Sequence, residues 1–204
     1  VCVYVSALQR YLAKPCAKHL QDANRVLRYL KVRKPQLVFQ KLEGPLRLLM
    51  VSDAAFTSLD QLGLALRGYF VLLAQTTQGL SGRMHVLEYA SRKPSHVCRA
   101  TFSAELFSLL DGIGAALKVS LCLEELLVGT ATAAVLAERQ ETGKLRLRLH
   151  AVVDAKSVFD SVANVSSIKV SDEHLLIHIL KVREFITRGI VFQLWWCDTR
   201  DMLS

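Results

Sequence analysis

The order of its elements predicts a mixed α/β fold: one sheet of five strands, the first three antiparallel, with helices packed on it. Three observations carry that expectation. Three short segments rich in Val, Leu, Tyr and Phe follow one another between residues 46 and 92, joined by connections short enough for antiparallel pairing. A long segment of helical periodicity comes next, and then a fully apolar stretch that ends in an acid. Two further helical segments precede one last apolar strand. Three strands, helix, strand, helices, strand is the order of a mixed sheet with helices on it.

Taken in order, Lys18 to Lys31 reads as an amphipathic helix. Leu20, Ala23, Leu27 and Leu30 recur at threes and fours, Arg25 and Arg28 lie elsewhere on the wheel, and Pro35 limits extension. Gly44-Pro45 forms a turn and marks the expected boundary between a segment 1–45 and a main domain 46–204. LRLLMVSDAAF from Leu46 is a nearly continuous apolar strand ending in an acid, and RGYFVLLAQ and MHVLEYASR supply the second and third strands.

Arg99 to Val128 then has helical periodicity through Phe102, Leu106, Leu109, Ile113, Leu117 and Leu121, with Gly129 as the expected C-cap. Gly112 and Gly114 argue against one unbroken helix. Residues 130–143 read as part helix, part loop. Arg146 to Asp154 is a strand entering the middle of the sheet. Helices over Ala155 to Ala163 and Asp172 to Arg188, the latter ended by Gly189, lead to a last strand from Ile190 to Cys197. Trp195 and Trp196 there must point to opposite faces, so at least one belongs to the core.

Composition excludes several classes. With 204 residues, 51% hydrophobic and 22% charged, the chain can build a core and does not read as disordered. No membrane span is expected, because Ala100 to Val128 carries Glu105, Asp111, Lys118, Glu124 and Glu125. The N-terminal residues lack the pattern of a secretory signal. Cys2, Cys16, Cys98, Cys122 and Cys197 are an odd, unpaired set, which suggests an intracellular setting, buried or half-buried free thiols and no zinc site. The net charge is +8, and residues 1–45 hold nine Lys and Arg against Asp22 and Glu43, so most of the excess sits there. A polyanionic partner follows, nucleic acid first and anionic membrane second, with a merely solvated basic helix as the alternative.

Three acids stand where this order makes them interesting. Asp53 ends the first strand, Glu105 lies in the first turns of the long helix, and Asp154 ends the fourth strand. Two strand ends and one helix start can converge on a cleft. Clustered carboxylates are the expected holders of hard divalent cations, and two Mg²⁺ ions about 4 Å apart can activate water and stabilise a leaving oxyanion in phosphodiester hydrolysis. Each acid also has a structural reading: a turn or cap residue for Asp53, dipole complementarity for Glu105, and an N-cap for Asp154.

The text around these acids resembles the ribonuclease H domain of copia-type retrotransposon polyproteins. VSDAAF is similar to the family's first active-site strand, and RGYFVLL to its second. YASRKPSHVCRATFSAEL is similar to its Ser-Arg-Lys stretch leading to Ser-Thr-x-Ala-Glu. HAVVDAKSVFD resembles its Asp-Asn-x-Ser segment, and EHLLIHILKVREFITRGIVFQLWWCDT its closing helix and strand. Upstream, KHLQDANRVLRYLK is similar to the helix joining reverse transcriptase to ribonuclease H.

The resemblance implies a ribonuclease H-like fold over 46–204, with 1–45 as the end of the connection segment. It implies metal-dependent cleavage of the RNA strand of an RNA–DNA hybrid, with Mg²⁺ or Mn²⁺ held by Asp53, Glu105 and Asp154. A fourth acid is expected just beyond Ser204, in an Ala-Asp-x-Leu-Thr-Lys motif that Asp198 and Asp201 precede. His174 matches the family's Lys-His-Ile histidine and is a candidate proton shuttle, beside its reading as a plain helix-surface residue. Arg92, Lys93 and Arg99 are candidate phosphate contacts, as is the basic helix. The implied partners are the hybrid and the reverse transcriptase region of the same polyprotein, in a cytoplasmic particle or the nucleus, with no membrane. The sequence departs from the family pattern at Ala100, Ala155 and His178, which favours a catalytically decayed nucleic-acid-binding or tethering module as the alternative. An integrase-like core is a further rival, and would need Glu173 or Glu184 as its closing acid.

Overall fold

The computed structural model describes every residue except 1, 10, 35, 56–65, 77–78, 93–99, 130, 165–172 and 202–204. Two helices come first, α1 (Cys2–Gln9) and α2 (Ala17–Arg33), followed by β1 (Leu46–Ala55), β2 (Leu66–Gln75) and β3 (Met84–Arg92). Then come α3 (Thr101–Val128), α4 (Ala133–Glu141), β4 (Leu149–Val153), α5 (Lys156–Ala163), α6 (Glu173–Thr187) and β5 (Gln193–Trp196). The five strands form one sheet in the order β3-β2-β1-β4-β5. β1, β2 and β3 pair antiparallel, whereas β1–β4 and β4–β5 are parallel. The expected mixed α/β sheet with its first three strands antiparallel is therefore the observed architecture.

The strand text explains the placement. β1 and β4 lie in the middle of the sheet, and both are apolar on both faces, as a strand covered twice must be. On one face Leu48, Met50, Tyr69, Val71, Leu149, Ala151 and Val153 meet Leu106, Leu109, Ile113 and Ala116 of α3, with α5 and α6 completing the cluster through Val158, Val162, Ile179 and Val182. On the other face Leu49, Val51, Leu72, Ala74 and Val152 form a smaller cluster. Trp195 packs against this second cluster, and its indole N–H donates to Nδ1 of buried His150 at 3.1 Å. Burial, and then the neighbouring Arg47 and Arg148, push that histidine down to about 4, so it stays neutral.

α3 is one unbroken helix, as its periodicity indicates, despite the two glycines within it. Gly112 is where the helix presses on the sheet: a Cβ there would collide with the Met50 side chain and come within 3.2 Å of the Tyr69 Cβ. Close approach, and not flexibility, accounts for a glycine at that position. Gly114 faces open space. By length and composition α3 would suffice to cross a bilayer, but Leu106, Leu109, Ile113 and Ala116 of it are buried in the core against this sheet. Its buried Glu124 is held by Arg139 Nη1 at 2.9 Å and by the Arg146 amide at 2.9 Å, which ties the far end of α3 to α4 and the approach to β4.

Several boundaries differ from the sequence expectation. β1 continues past Asp53 to Ala55, and β4 and β5 are shorter than Arg146 to Asp154 and Ile190 to Cys197. Buried Ile190 and Val191 contribute to the core without joining the ladder, so apolarity there reports burial and not strand pairing. Residues 133–141 resolve into α4, whose N-cap Thr132 accepts from the Val135 amide. Among the cysteines, Cys16 and Cys122 are exposed free thiols, not buried or half-buried ones, because each sits on the outer side of a helix or its cap. Cys197 is half-buried. α2 spans the expected helix and ends on left-handed Lys34, but its apolar stripe is not covered as a core stripe would be: Leu20 is 65% and Leu27 55% exposed.

Candidate active site

Three elements deliver one carboxylate each to the same end of the sheet. Parallel pairing of β1 with β4 sets Ser52 opposite Val153, so the next residue on each strand, Asp53 and Asp154, emerges at the same end of two neighbouring strands. α3 crosses below that end and brings Glu105 in its second turn. Ser108, one turn further along, pins the helix there. Its hydroxyl lies 2.9 Å from the carbonyl oxygens of both Asp53 and Gly68, residues that face each other across β1 and β2. One oxygen from each of Asp53, Glu105 and Asp154 lies within 4.8 Å of the others, the one such cluster of His, Cys, Asp or Glu among the described residues.

Their convergence perturbs Glu105 and Asp53. Glu105 is only 7% exposed, and burial, then the charges of Asp154 and Asp53, push it up to about 8. Asp53 keeps an exposed flank, yet its carboxyl is shielded enough that desolvation, followed by repulsion from Asp154, raises it as well. The Ala54 amide opposes both shifts by hydrogen bonding. Two of the purely structural readings do not fit: Asp53 lies within a strand, and the N-cap of α5 is Ala155, not Asp154.

The donor set fits a hard divalent cation. It consists of carboxylate oxygens without thiol or imidazole, and Asp154 Oδ1 is buried with no hydrogen-bond partner. An oxygen that is buried, anionic and unpartnered is costly unless a proton or a cation meets it. The other oxygen, Oδ2, accepts from the Thr199 hydroxyl at 2.7 Å, and the Asp154 carbonyl accepts from the Trp196 indole at 2.9 Å.

The remaining candidates fare differently. Arg92 is exposed at the end of β3, opposite Arg67, at the same end of the sheet as the acids. Arg67 itself is buried and paired with Asp111 at 2.9 Å. Lys93 and Arg99 lie outside the described residues. His174 is exposed in the first turn of α6, and His178 packs edge-on against Phe107 at 5.0 Å between centroids. Asp198 accepts from the Arg200 amide at 3.0 Å, a local turn contact. Sequence reasoning missed Thr199 and Lys156. The Lys156 ammonium lies 5.8 Å from the ring of Trp196, which is 42% exposed beside the acids. Neither is flagged by its neighbours in sequence, because each acquires its partner only through folding.

Fold and site together define a mixed-sheet α/β protein with a carboxylate centre at the ends of its two middle strands. No family model matches the chain, and no curated protein does. Among solved structures it is similar to LC11-RNase H1 in complex with an RNA/DNA hybrid, at 10% identity and a TM-score of 0.45 over 76% of this chain and 87% of that one. It is likewise similar to LC11-RNase H1 isolated from compost by a metagenomic approach, at 11% identity and a TM-score of 0.45 over 76% and 86%.

Proposed function

We propose that this protein is a metal-dependent endonuclease that cleaves the RNA strand of RNA–DNA hybrids, a ribonuclease H domain of a copia-type retrotransposon polyprotein. The observation that carries the reading is the convergence of Asp53, Glu105 and Asp154 within 4.8 Å. These are the three acids that stand in the family-like contexts VSDAAF, TFSAEL and HAVVDAKS.

In this mechanism Asp53, Glu105 and Asp154 would hold Mg²⁺ or Mn²⁺, which when bound would supply water activation and charge stabilisation for phosphodiester hydrolysis. The protein's own groups prepare the site. Ser108 fixes the height of Glu105 against the sheet end, and the Ala54 amide steadies the ionised forms of Asp53 and Glu105. Exposed Arg92 contacts substrate phosphates, and Lys156 and Trp196 border the same end of the sheet, where a cation and a ring can meet a sugar-phosphate backbone. Hybrid is distinguished by backbone shape and the 2′-hydroxyls of one strand. The exposed apolar stripe of α2 supports a second element of the reading, that residues 1–45 pack against the reverse transcriptase region of the same polyprotein.

The test is cleavage of a hybrid labelled on its RNA strand, with Mg²⁺ or Mn²⁺, by a chain extended beyond Ser204, compared with Asp53→Asn. The expected result is RNA-strand cleavage that the variant loses by at least about a hundredfold, the order expected when an essential charge-stabilising group is removed. Hybrid binding without cleavage would support the decayed binding module instead. Cleavage unchanged in Asp53→Asn would overturn the site.

A further inference from the structure

Asp154 is the least conventionally placed of the three acids. It follows the last residue of β4, it does not cap α5, and its orientation is therefore not dictated by either element. What fixes it comes from a segment 45 residues further along the chain: the Thr199 hydroxyl, 2.7 Å from Oδ2. A threonine hydroxyl has one proton to donate, and here that proton is committed to the carboxylate. Trp196, on the strand that leads into this segment, donates its indole N–H to the Asp154 carbonyl at 2.9 Å and anchors the backbone of the same residue. Main chain and side chain of Asp154 are thus held by two groups from the end of β5 and the turn after it. The oxygen left over, Oδ1, is buried and without a partner.

We propose that Thr199 is a positioning residue for the Asp154 carboxylate: by occupying Oδ2 it fixes the carboxylate plane and reserves Oδ1 for the cation shared with Asp53 and Glu105. The inference rests on the reading of the cluster as a metal centre. Its physical basis is that a ligand oxygen must be oriented before the cation arrives, or the ordering cost is subtracted from affinity. Outer hydrogen bonds that orient ligands alter metal affinity by about 10–100-fold when removed. The alcohol is suited to the task because it donates without bringing a charge of its own into a cluster that a cation must neutralise. Thr199 is exposed, so its replacement is expected to leave the fold intact.

The experiment is calorimetric titration of Mn²⁺ into the wild type, Thr199→Val, Thr199→Ser and Asp53→Asn, with a thermal melt of each metal-free protein. Thr199→Val, which keeps the shape and loses the donor, is expected to raise the Mn²⁺ Kd about tenfold or more, while its metal-free Tm stays that of the wild type. Thr199→Ser is expected to return the Kd to within about twofold, because it restores the hydroxyl that orients the ligand. The Mn²⁺ concentration for half-maximal cleavage should rise in step, with the rate at saturating metal changed less. Wild-type affinity in Thr199→Val, or failure of Thr199→Ser to recover it, overturns the role of Thr199 and leaves the metal centre standing. A wild type that binds no Mn²⁺ overturns the metal centre itself, and this inference with it.

Discussion

Glu105→Gln isolates the electrostatic cost of the cluster, because it removes one charge while keeping the shape and an oxygen that can still accept from the Ala54 amide. In the metal-free protein burial and the two aspartates push Glu105 from 4.5 to about 8. A folded value above the unfolded one means that the native state holds its proton more tightly. The associated stability is fully present below about 4.5 and is lost as pH rises through about 8. At 1.36 kcal/mol for each pH unit of displacement, the loss approaches roughly 5 kcal/mol above pH 8 and is about 3 kcal/mol at pH 7. Glutamine escapes this loss. Glu105→Gln is therefore expected to match the wild type near pH 4 and to be the more stable protein at pH 7 by on the order of 3 kcal/mol. For a chain of this length that amounts to about 6–12 °C in Tm. The assay is a thermal melt from pH 4 to 9 in chelator, repeated with saturating Mn²⁺. Metal should reverse the ranking, since it stabilises the intact cluster by mass action and leaves the variant behind. If the two proteins melt together across the whole pH range in chelator, Glu105 is neither desolvated nor repelled by the two aspartates as the geometry indicates.

Two other predictions concern packing and partners. Gly112→Ala should lower Tm, since its new Cβ meets Met50 and Tyr69, and should weaken Mn²⁺ binding by lifting Glu105, while Gly114→Ala, which meets nothing within 4 Å, should stabilise by up to about 1 kcal/mol. Under the proposed reading of residues 1–45, Leu27→Asp, at a 55% exposed position of α2, should leave Tm unchanged but reduce co-elution with the proposed reverse transcriptase partner. Undiminished co-elution would remove that face from the contact.

Periodicity and apolarity are local properties, and what depends on them alone was legible in the sequence. β3 begins and ends where its text does, α3 ends at Gly129, and the strand order is consistent with three hairpin-like segments followed by crossovers. The three acids could be singled out because each reads in sequence as standing at or near the end of an element, although β1 runs on past Asp53 to Ala55. The sequence could not give the ends of β4 and β5, because a residue such as Val191 is apolar for the sake of the core whether or not it joins a ladder. Nor could it explain Gly112, which reads as a helix breaker until the sheet is beneath it.

The sequence by itself determined the class of fold and named the three carboxylates as candidates, since both follow from patterns within tens of residues. Only the tertiary structure decided that the carboxylates meet, that their meeting raises Glu105 to about 8, and that Thr199 and Trp196 hold Asp154. Those facts depend on distances between residues far apart along the chain. Such distances are set by the register of β1 with β4 and by the depth at which α3 lies on the sheet.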